Sequence, residues 1–121
     1  MISGKRIAKI ARRAAEIIQH RGKATGTFMT LDGQVCAVGA VRMAMAEQGL
    51  GYEVDLRNYD IVPLAPHLTY NDATKCESAI ISAITERIGG LAVTIWSDRH
   101  STKVEDIAKV LGQVADEIEV R

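Results

Sequence analysis

The chain has 121 residues, in which 15 lysines and arginines balance 15 aspartates and glutamates, and 47% of the residues are hydrophobic. This length and composition fit one globular domain and argue against a disordered chain, and no apolar run reaches the roughly 20 residues needed to cross a bilayer. The amino-terminal segment lacks the continuous apolar stretch of a signal peptide, so we expect a cytoplasmic protein without membrane contact, in which Cys36 and Cys76 are reduced.

Charge is distributed unevenly along the chain. Residues 1–23 carry seven basic side chains against one acidic side chain, a net charge of +6, and the remaining residues carry −6. Such a pattern indicates either contact with nucleic acid or an acidic partner, or a solvated helix face close to the acidic surface of the protein itself. The candidate contact residues of this basic face are Lys5, Lys9, Arg12 and Arg13.

The first helix is predicted between Ser3, a suitable N-cap, and Gly22, a suitable residue for helix termination. Apolar residues recur with helical spacing and form one stripe, which we expect to be buried: Ile7, Ile10, Ala11, Ala14, Ile17 and Ile18. The basic side chains are predicted to lie on the opposite face.

A β-hairpin is predicted over residues 27–35, because β-forming residues flank Asp32 and Gly33. A second helix follows over residues 36–48. Its interior glycine, Gly39, costs about 1 kcal/mol relative to alanine, so we expect it to permit the close approach of another backbone, by helix packing. Gly39, Ala40 and Ala44 form a surface of small residues that could pair helices within one chain or between two copies.

Residues 50–70 are predicted to form a partly ordered loop over the core, in which residues 52–56 could be a strand and two prolines exclude a regular helix. A third helix is expected from Asn71 or Asp72 to residue 88. Residues 91–96 fit either a strand or a helical turn. Thr102 and Glu105 resemble a capping box that begins the last helix. We therefore predict a single domain over residues 1–121, mainly α, with four helices and a small β-hairpin.

Signatures of metal, nucleotide or cofactor binding are absent from the sequence, so we expect neither a metal nor a cofactor. Cys36 is the candidate reactive thiol, because backbone donors at a helix N-terminus lower a thiol pKa. A nucleophile also needs a base within reach. Cysteine is commonly buried, and the interpretation that we favour is a small core thiol.

A second cluster precedes the last helix and gathers Trp96, Asp98, Arg99 and His100 within five residues. Tryptophan and arginine are frequent anchors of interfaces, so this segment could be a recognition loop. In the alternative that we favour, Trp96 fills the core and Asp98 accepts hydrogen bonds from nearby backbone donors.

The motifs of the second helix and of this cluster together resemble those of a known family. Residues 36–40, preceded by Asp32 and Gly33, are similar to the C-x-x-G-A pattern of a small uncharacterised domain family of actinobacteria and their bacteriophages, and residues 96–98 resemble its W-N-D segment, with Ser97 in place of asparagine. The resemblance implies a cytoplasmic actinobacterial or phage protein of unassigned activity, and it supplies no catalytic residues.

Three functional hypotheses follow. The leading one is a small non-enzymatic interaction protein, which could be a phage product that binds a host macromolecule, with a host or cellular protein as partner. The second is a nucleic-acid-binding module that uses the basic face of the first helix, with an affinity that falls steeply with salt. The third is a thiol-dependent enzyme centred on Cys36.

Overall fold

The computed structural model describes residues 2–64 and 70–120. Within these residues, five helices accompany one small antiparallel hairpin, which confirms the predicted mainly α class. The elements in chain order are α1 (Gly4–Arg21), α2 (Ala37–Glu47), β1 (Tyr52–Asp55), β2 (Asp60–Pro63), α3 (Tyr70–Arg87), α4 (Val93–Asp98) and α5 (Val104–Glu119). None of the helices described is long and apolar enough to span a bilayer.

Helix α1 begins and ends where the sequence predicts. The Ser3 hydroxyl accepts a hydrogen bond from the backbone N–H of Arg6 at 3.2 Å, and the Gly22 N–H donates to the carbonyl of Ile18 at 2.9 Å. The predicted apolar stripe of α1 is buried against α5 and α2. The largest fully buried side chains of the common core come from most of the elements: Ile10, Ile18, Met45, Leu50, Ile61, Ile80, Ile84, Ile107 and Leu111.

The N-cap of helix α5 lies one residue later than predicted. Lys103, not Thr102, is the N-cap, and its backbone N–H donates to the Asp106 carboxylate at 2.9 Å. Because a lysine side chain has no acceptor, the reciprocal bond of a capping box cannot form. The capping box predicted from Thr102 and Glu105 is therefore wrong, although the helix itself is confirmed.

The hairpin predicted over residues 27–35 is reduced to its turn. The N–H of Gly33 donates to the carbonyl of Thr30, and the N–H of Thr30 donates to the carbonyl of Gln34, both at 2.9 Å. Gly33 closes this three-residue turn with a φ of 83°. Beyond the turn, Met29 and Val35 form one isolated antiparallel bridge. No regular strand follows, because the backbone of Val35 also exchanges hydrogen bonds with Gly22 and Ala24.

The hairpin of the structure lies within residues 50–70, where a loop is predicted. The strand expected at 52–56 is confirmed as β1, and the sequence analysis missed its partner β2, which pairs with it from Tyr52 opposite Pro63 to Asp55 opposite Asp60. At the tip, the Asp55 carboxylate accepts hydrogen bonds from the N–H groups of Arg57 and Asn58 at 3.0 and 3.3 Å. Pro66 and His67 lie outside the described residues.

A short helix, α4, begins within residues 91–96, for which the sequence fits either a strand or a helical turn, and it ends at Asp98. It packs against α2 and α3 and leads into α5 through residues 99–103. Helix α3 starts at Tyr70, just before the caps considered for it, and the Asp72 carboxylate accepts a hydrogen bond from the N–H of Ile2 at 3.2 Å. All four predicted helices are thus present, and α4 is added to them.

Candidate functional site

A cleft of about 460 Å³ lies where three parts of the chain meet: the loop before α2, the tip of the β1–β2 hairpin, and α4. We call it the α4 cleft. It includes the candidate thiol and one residue of the predicted recognition loop, and its lining consists of Gly26, Thr27, Phe28, Cys36, Asn58, Tyr59, Asp60, Thr94 and Asp98.

Cys36 forms the base of the α4 cleft and caps α2. Its Sγ accepts a hydrogen bond from the N–H of Gly39 at 3.3 Å, and the side chain is 4% exposed. Burial raises the pKa of the Cys36 thiol, and the negative charge of Asp98 raises it further, against the opposing effect of the backbone donors. The expected lowering of this pKa by backbone donors at the helix N-terminus is present, but desolvation is the larger effect and the pKa is raised.

The charged group that acts on this thiol within the cleft is a carboxylate, Asp98, and not a histidine. His100 lies in a separate depression on the other side of Asp98, and His20 is exposed at the end of α1. A buried thiol with a raised pKa is a poor nucleophile, which supports the core interpretation of Cys36. Cys76 is also free and fully buried.

Ser97 connects α4 to the start of α2. It is fully buried, and its hydroxyl accepts a hydrogen bond from the N–H of Ala37 at 3.0 Å. Together with Cys36 it satisfies two of the backbone donors that a helix N-terminus leaves unpaired. In the sequence, Ser97 stands out only as a departure from asparagine. No local pattern links it to Ala37, which lies 60 positions away.

The residues of the predicted recognition loop separate in the structure. Asp98 faces the α4 cleft, and its Oδ1 accepts a hydrogen bond from the N–H of Gly26 at 3.1 Å. Trp96 is half-buried against the core, in line with the alternative we favour, and does not line the cleft. Arg99 and His100 are exposed outside it. The backbone donor that Asp98 satisfies is distant in sequence, not nearby as expected.

The basic face of α1 is not free. Arg12 forms ion pairs with Asp116 at 2.9 Å and Glu119 at 2.7 Å, and Arg13 forms one with Glu47 at 2.8 Å. These hydrogen bonds raise the pKa of both arginines and lower the pKa of Glu47 and Glu119.

Acidic groups of the protein therefore neutralise part of the predicted contact surface. Lys5 and Lys9 line the same groove of about 520 Å³ as these ion pairs. Their role as contact residues stays a prediction.

The small residues of α2 are interior. Gly39, Ala40 and Ala44 are all buried, so they offer no surface to a second copy of the chain. The close backbone approach predicted at Gly39 is present, but the neighbour is the Phe28 carbonyl of the preceding loop, not another helix. A Cβ at this position would overlap that carbonyl.

A cluster that the sequence analysis missed holds one wall of the α4 cleft. The Arg42 guanidinium lies between two aromatic rings, 4.6 Å from the centroid of Phe28 and 4.9 Å from that of Tyr52. Its Nε donates to Glu77 at 3.0 Å, and the Tyr52 hydroxyl donates to the same carboxylate. The four residues belong to four different elements or loops, so no sequence spacing indicates the cluster.

Metal ligands do not cluster in the described ranges. Among residues 2–64 and 70–120, no group of three or more histidine, cysteine, aspartate or glutamate side chains could hold a metal ion.

Comparison with known proteins places the chain in one family. A family of unknown function, DUF6197, matches residues 3–117. The chain belongs to this family. No curated protein and no solved structure matches the chain. The match covers every helix and strand described above except the last two residues of α5, so the α4 cleft lies entirely within the DUF6197 region.

Proposed function

We propose that this DUF6197 protein is a non-enzymatic binding protein that recognises a partner protein through the α4 cleft. The observation that carries the proposal is the cleft itself: about 460 Å³ of concave surface in which the Cys36 thiol is buried, has a raised pKa and caps a helix. This volume falls in the range of about 300–1,000 Å³ that is typical of specific small-ligand pockets.

The walls of the α4 cleft are suited to binding. Gly26 is tied to Asp98 across the cleft, and Phe28 is held by Arg42, so two sides are fixed by interactions within the protein. Tyr59 is 43% exposed at the hairpin tip and has a φ of 53°, a strained conformation for a residue other than glycine. Such strain often accompanies functional positions. An exposed aromatic side chain at the rim is a common anchor for protein partners.

The finer parts of the proposal come from the resemblance found in the sequence. We take the protein to be a cytoplasmic product of an actinobacterium or of one of its bacteriophages, and the partner to be a host protein. Reduced, buried Cys36 and Cys76 support the intracellular location.

Quantitative capture from an actinobacterial lysate, followed by titration of the purified partner, tests the proposal. Thr94 is exposed on α4 and lines the cleft, so Thr94→Phe should fill it and abolish partner binding. Ser78→Phe is the matched control, since Ser78 is an exposed small polar residue on α3 outside the cleft. Equal partner binding by both variants, or no partner above the level of an empty resin, would refute the proposal.

The two alternatives are weaker. Nucleic-acid binding would rely on Lys5 and Lys9, because Arg12 and Arg13 are engaged with acidic groups. A band-shift titration on duplex DNA that shows no complex at low salt would remove this alternative. A thiol-dependent reaction would require Cys36 to ionise, and its raised pKa opposes that.

A further inference from the structure

The charge of the α4 cleft is one-sided. Its lining contains two carboxylates, Asp60 and Asp98, and no lysine, arginine or histidine, although basic and acidic residues balance over the whole chain. In each carboxylate, Oδ1 accepts a backbone hydrogen bond, from the N–H of Ile61 at 2.8 Å and of Gly26 at 3.1 Å respectively. No described side chain forms an ion pair with either residue. The second oxygen of each carboxylate is left for a ligand.

Among the other half-buried carboxylates described, Glu77 and Glu117 have an arginine partner, whereas Asp55 and Asp72 accept hydrogen bonds from backbone N–H groups. Glu77 binds Arg42, and Glu117 binds Arg87 at 3.2 Å. Asp60 and Asp98 are also half-buried but lack such a partner among the residues described. The charge of Asp98 reaches the base of the cleft, where it contributes to the raised pKa of the Cys36 thiol.

Two lysines of the neighbouring depression, Lys23 and Lys103, donate to backbone carbonyls and form no ion pair with Asp98. In the depression on its other side, the Nζ of Lys23 donates to the carbonyls of Arg99 and Thr102, both at 2.6 Å. The Nζ of Lys103 donates to the carbonyl of His100 at 3.0 Å. Both ammonium groups are therefore engaged by backbone oxygens.

Two aromatic side chains complete the environment. Phe28 lines the cleft, and its ring already contacts the Arg42 guanidinium at 4.6 Å. Tyr59 lines the cleft from the hairpin tip, where it is exposed and open to a ligand. Carboxylates beside aromatic rings in a concave site are the chemistry that recognises ammonium and guanidinium groups.

We infer that the α4 cleft binds a cationic side chain, an arginine or lysine, presented by the partner protein. This inference rests on the proposed function and adds the chemistry of recognition. The ligand cation forms charge-assisted hydrogen bonds with the free oxygens of Asp60 and Asp98, and its planar or methylene portion packs against Tyr59. Partner segments with an exposed basic residue are therefore selected, and neutral ones are not.

The experiment titrates the full chain with capped tripeptides. The probes are Gly-Arg-Gly, Gly-Lys-Gly and Gly-citrulline-Gly, in which citrulline has the shape of arginine without its charge. Amide NMR shifts of Gly26 and Thr27 report binding in the cleft. We expect the citrulline peptide to bind at least about tenfold more weakly than the arginine peptide, the loss typical of a charged hydrogen bond.

Asparagine variants locate the recognition. Asp60→Asn and Asp98→Asn each keep the side-chain oxygen that accepts a hydrogen bond from the backbone, so the fold is preserved. Each variant should bind the arginine peptide about tenfold or more weakly than the unsubstituted protein does. Asp116→Asn removes a carboxylate outside the cleft and should leave peptide affinity unchanged. Equal binding of the citrulline peptide, or unchanged affinity in both cleft variants, would overturn the inference.

Two further arms separate the possible failures. If butylguanidinium bound as tightly as the arginine peptide, the ligand would be a free small cation, and the assignment to a protein side chain would be wrong. If Thr94→Phe abolished binding of the captured partner while Asp60→Asn and Asp98→Asn left it intact, the cationic selection would fail and the proposed function would stand. If Thr94→Phe had no effect on that partner, the proposed function would fail.

Discussion

At the scale of single residues, the most constrained position is Gly39. It lies inside α2, where glycine costs helix stability, yet the Phe28 carbonyl occupies the space that a Cβ would need. The absence of a side chain therefore lets the loop that forms one wall of the α4 cleft approach the helix. The steric requirement outweighs the helical preference, because backbone atoms cannot move aside as the end of a long side chain can.

Replacing Gly39 with alanine should destabilise the protein although alanine favours helices. We expect a loss of about 1–3 kcal/mol in the free energy of unfolding, the range typical of an overpacked core. Chemical denaturation measures it. Gly112→Ala in α5 is the matched control, since nothing lies within 4 Å of a Cβ there, and it should stabilise by about 0.4–1 kcal/mol. If Gly39→Ala and Gly112→Ala changed the free energy of unfolding in the same direction, the steric explanation would be contradicted.

At the scale of elements, the Arg42 cluster joins parts that local structure leaves separate. Phe28 belongs to the loop before α2, Arg42 to α2, Tyr52 to β1 and Glu77 to α3. The Arg42 and Glu77 side chains are only 23% and 19% exposed, so their ion pair is less screened than the surface pairs of α1. The cluster positions both Phe28 and the hairpin that carries Tyr59.

A double-mutant cycle on Arg42→Ala and Glu77→Ala should give a coupling energy of about 1–3 kcal/mol, because the pair is part-buried and hydrogen-bonded. Denaturant unfolding of the four proteins measures it. The comparison cycle uses Arg13→Ala and Glu47→Ala, whose side chains are 47% and 41% exposed. That pair should couple by less than about 1 kcal/mol. Similar coupling in both cycles would show that burial does not strengthen the Arg42 pair.

At the scale of the whole molecule, folding brings the oppositely charged parts of the chain together. The segment 1–23 has a net charge of +6 in the sequence, and two of its arginines bind acidic residues of α2 and α5. The two thiols show the second global effect of folding, since burial removes both from water. Burial raises the pKa of Cys36 above its ordinary value and that of Cys76 to about 12.

Stability should therefore fall at alkaline pH. A thiol with a higher pKa in the folded chain contributes stability that is fully present below its unfolded value of 9.0 and is lost as the pH rises towards the folded value of about 12. The free energy of unfolding should decrease between about pH 8 and about pH 11, as measured by denaturant titration. This range spans the ordinary pKa values of thiols and lysines, about 8.5 and 10.4.

The control for this prediction is Cys76→Ala, which has no thiol at this position. Its free energy of unfolding should decrease less steeply with rising pH, whatever its stability at neutral pH. Thiol labelling provides a second measurement: both cysteines should react rapidly only after denaturation, because both are buried. An identical pH slope in the variant, or rapid labelling of the native protein, would contradict the burial of these thiols.

The sequence by itself determined four of the five described helices and the class of fold. Apolar spacing and the cap residues Ser3 and Gly22 identify α1, and the stripe of α5 is equally clear, because helical periodicity and capping depend on residues a few positions apart. The same local signals misplaced the hairpin. Asp32 and Gly33 do form a turn, but whether strands continue from it depends on the distant partners that compete for the backbone of Val35.

Only the tertiary structure decided the site. Sequence reasoning selected Cys36 and the 96–98 segment, and folding brings Cys36 and Asp98 to one cleft while it turns Trp96 towards the core. The hairpin tip with Tyr59 and Asp60 gave no signal, since its role depends on residues of the other walls, which are more than 20 positions away. Ionisation follows the same rule, because burial in the folded chain has the largest effect on the pKa of both thiols.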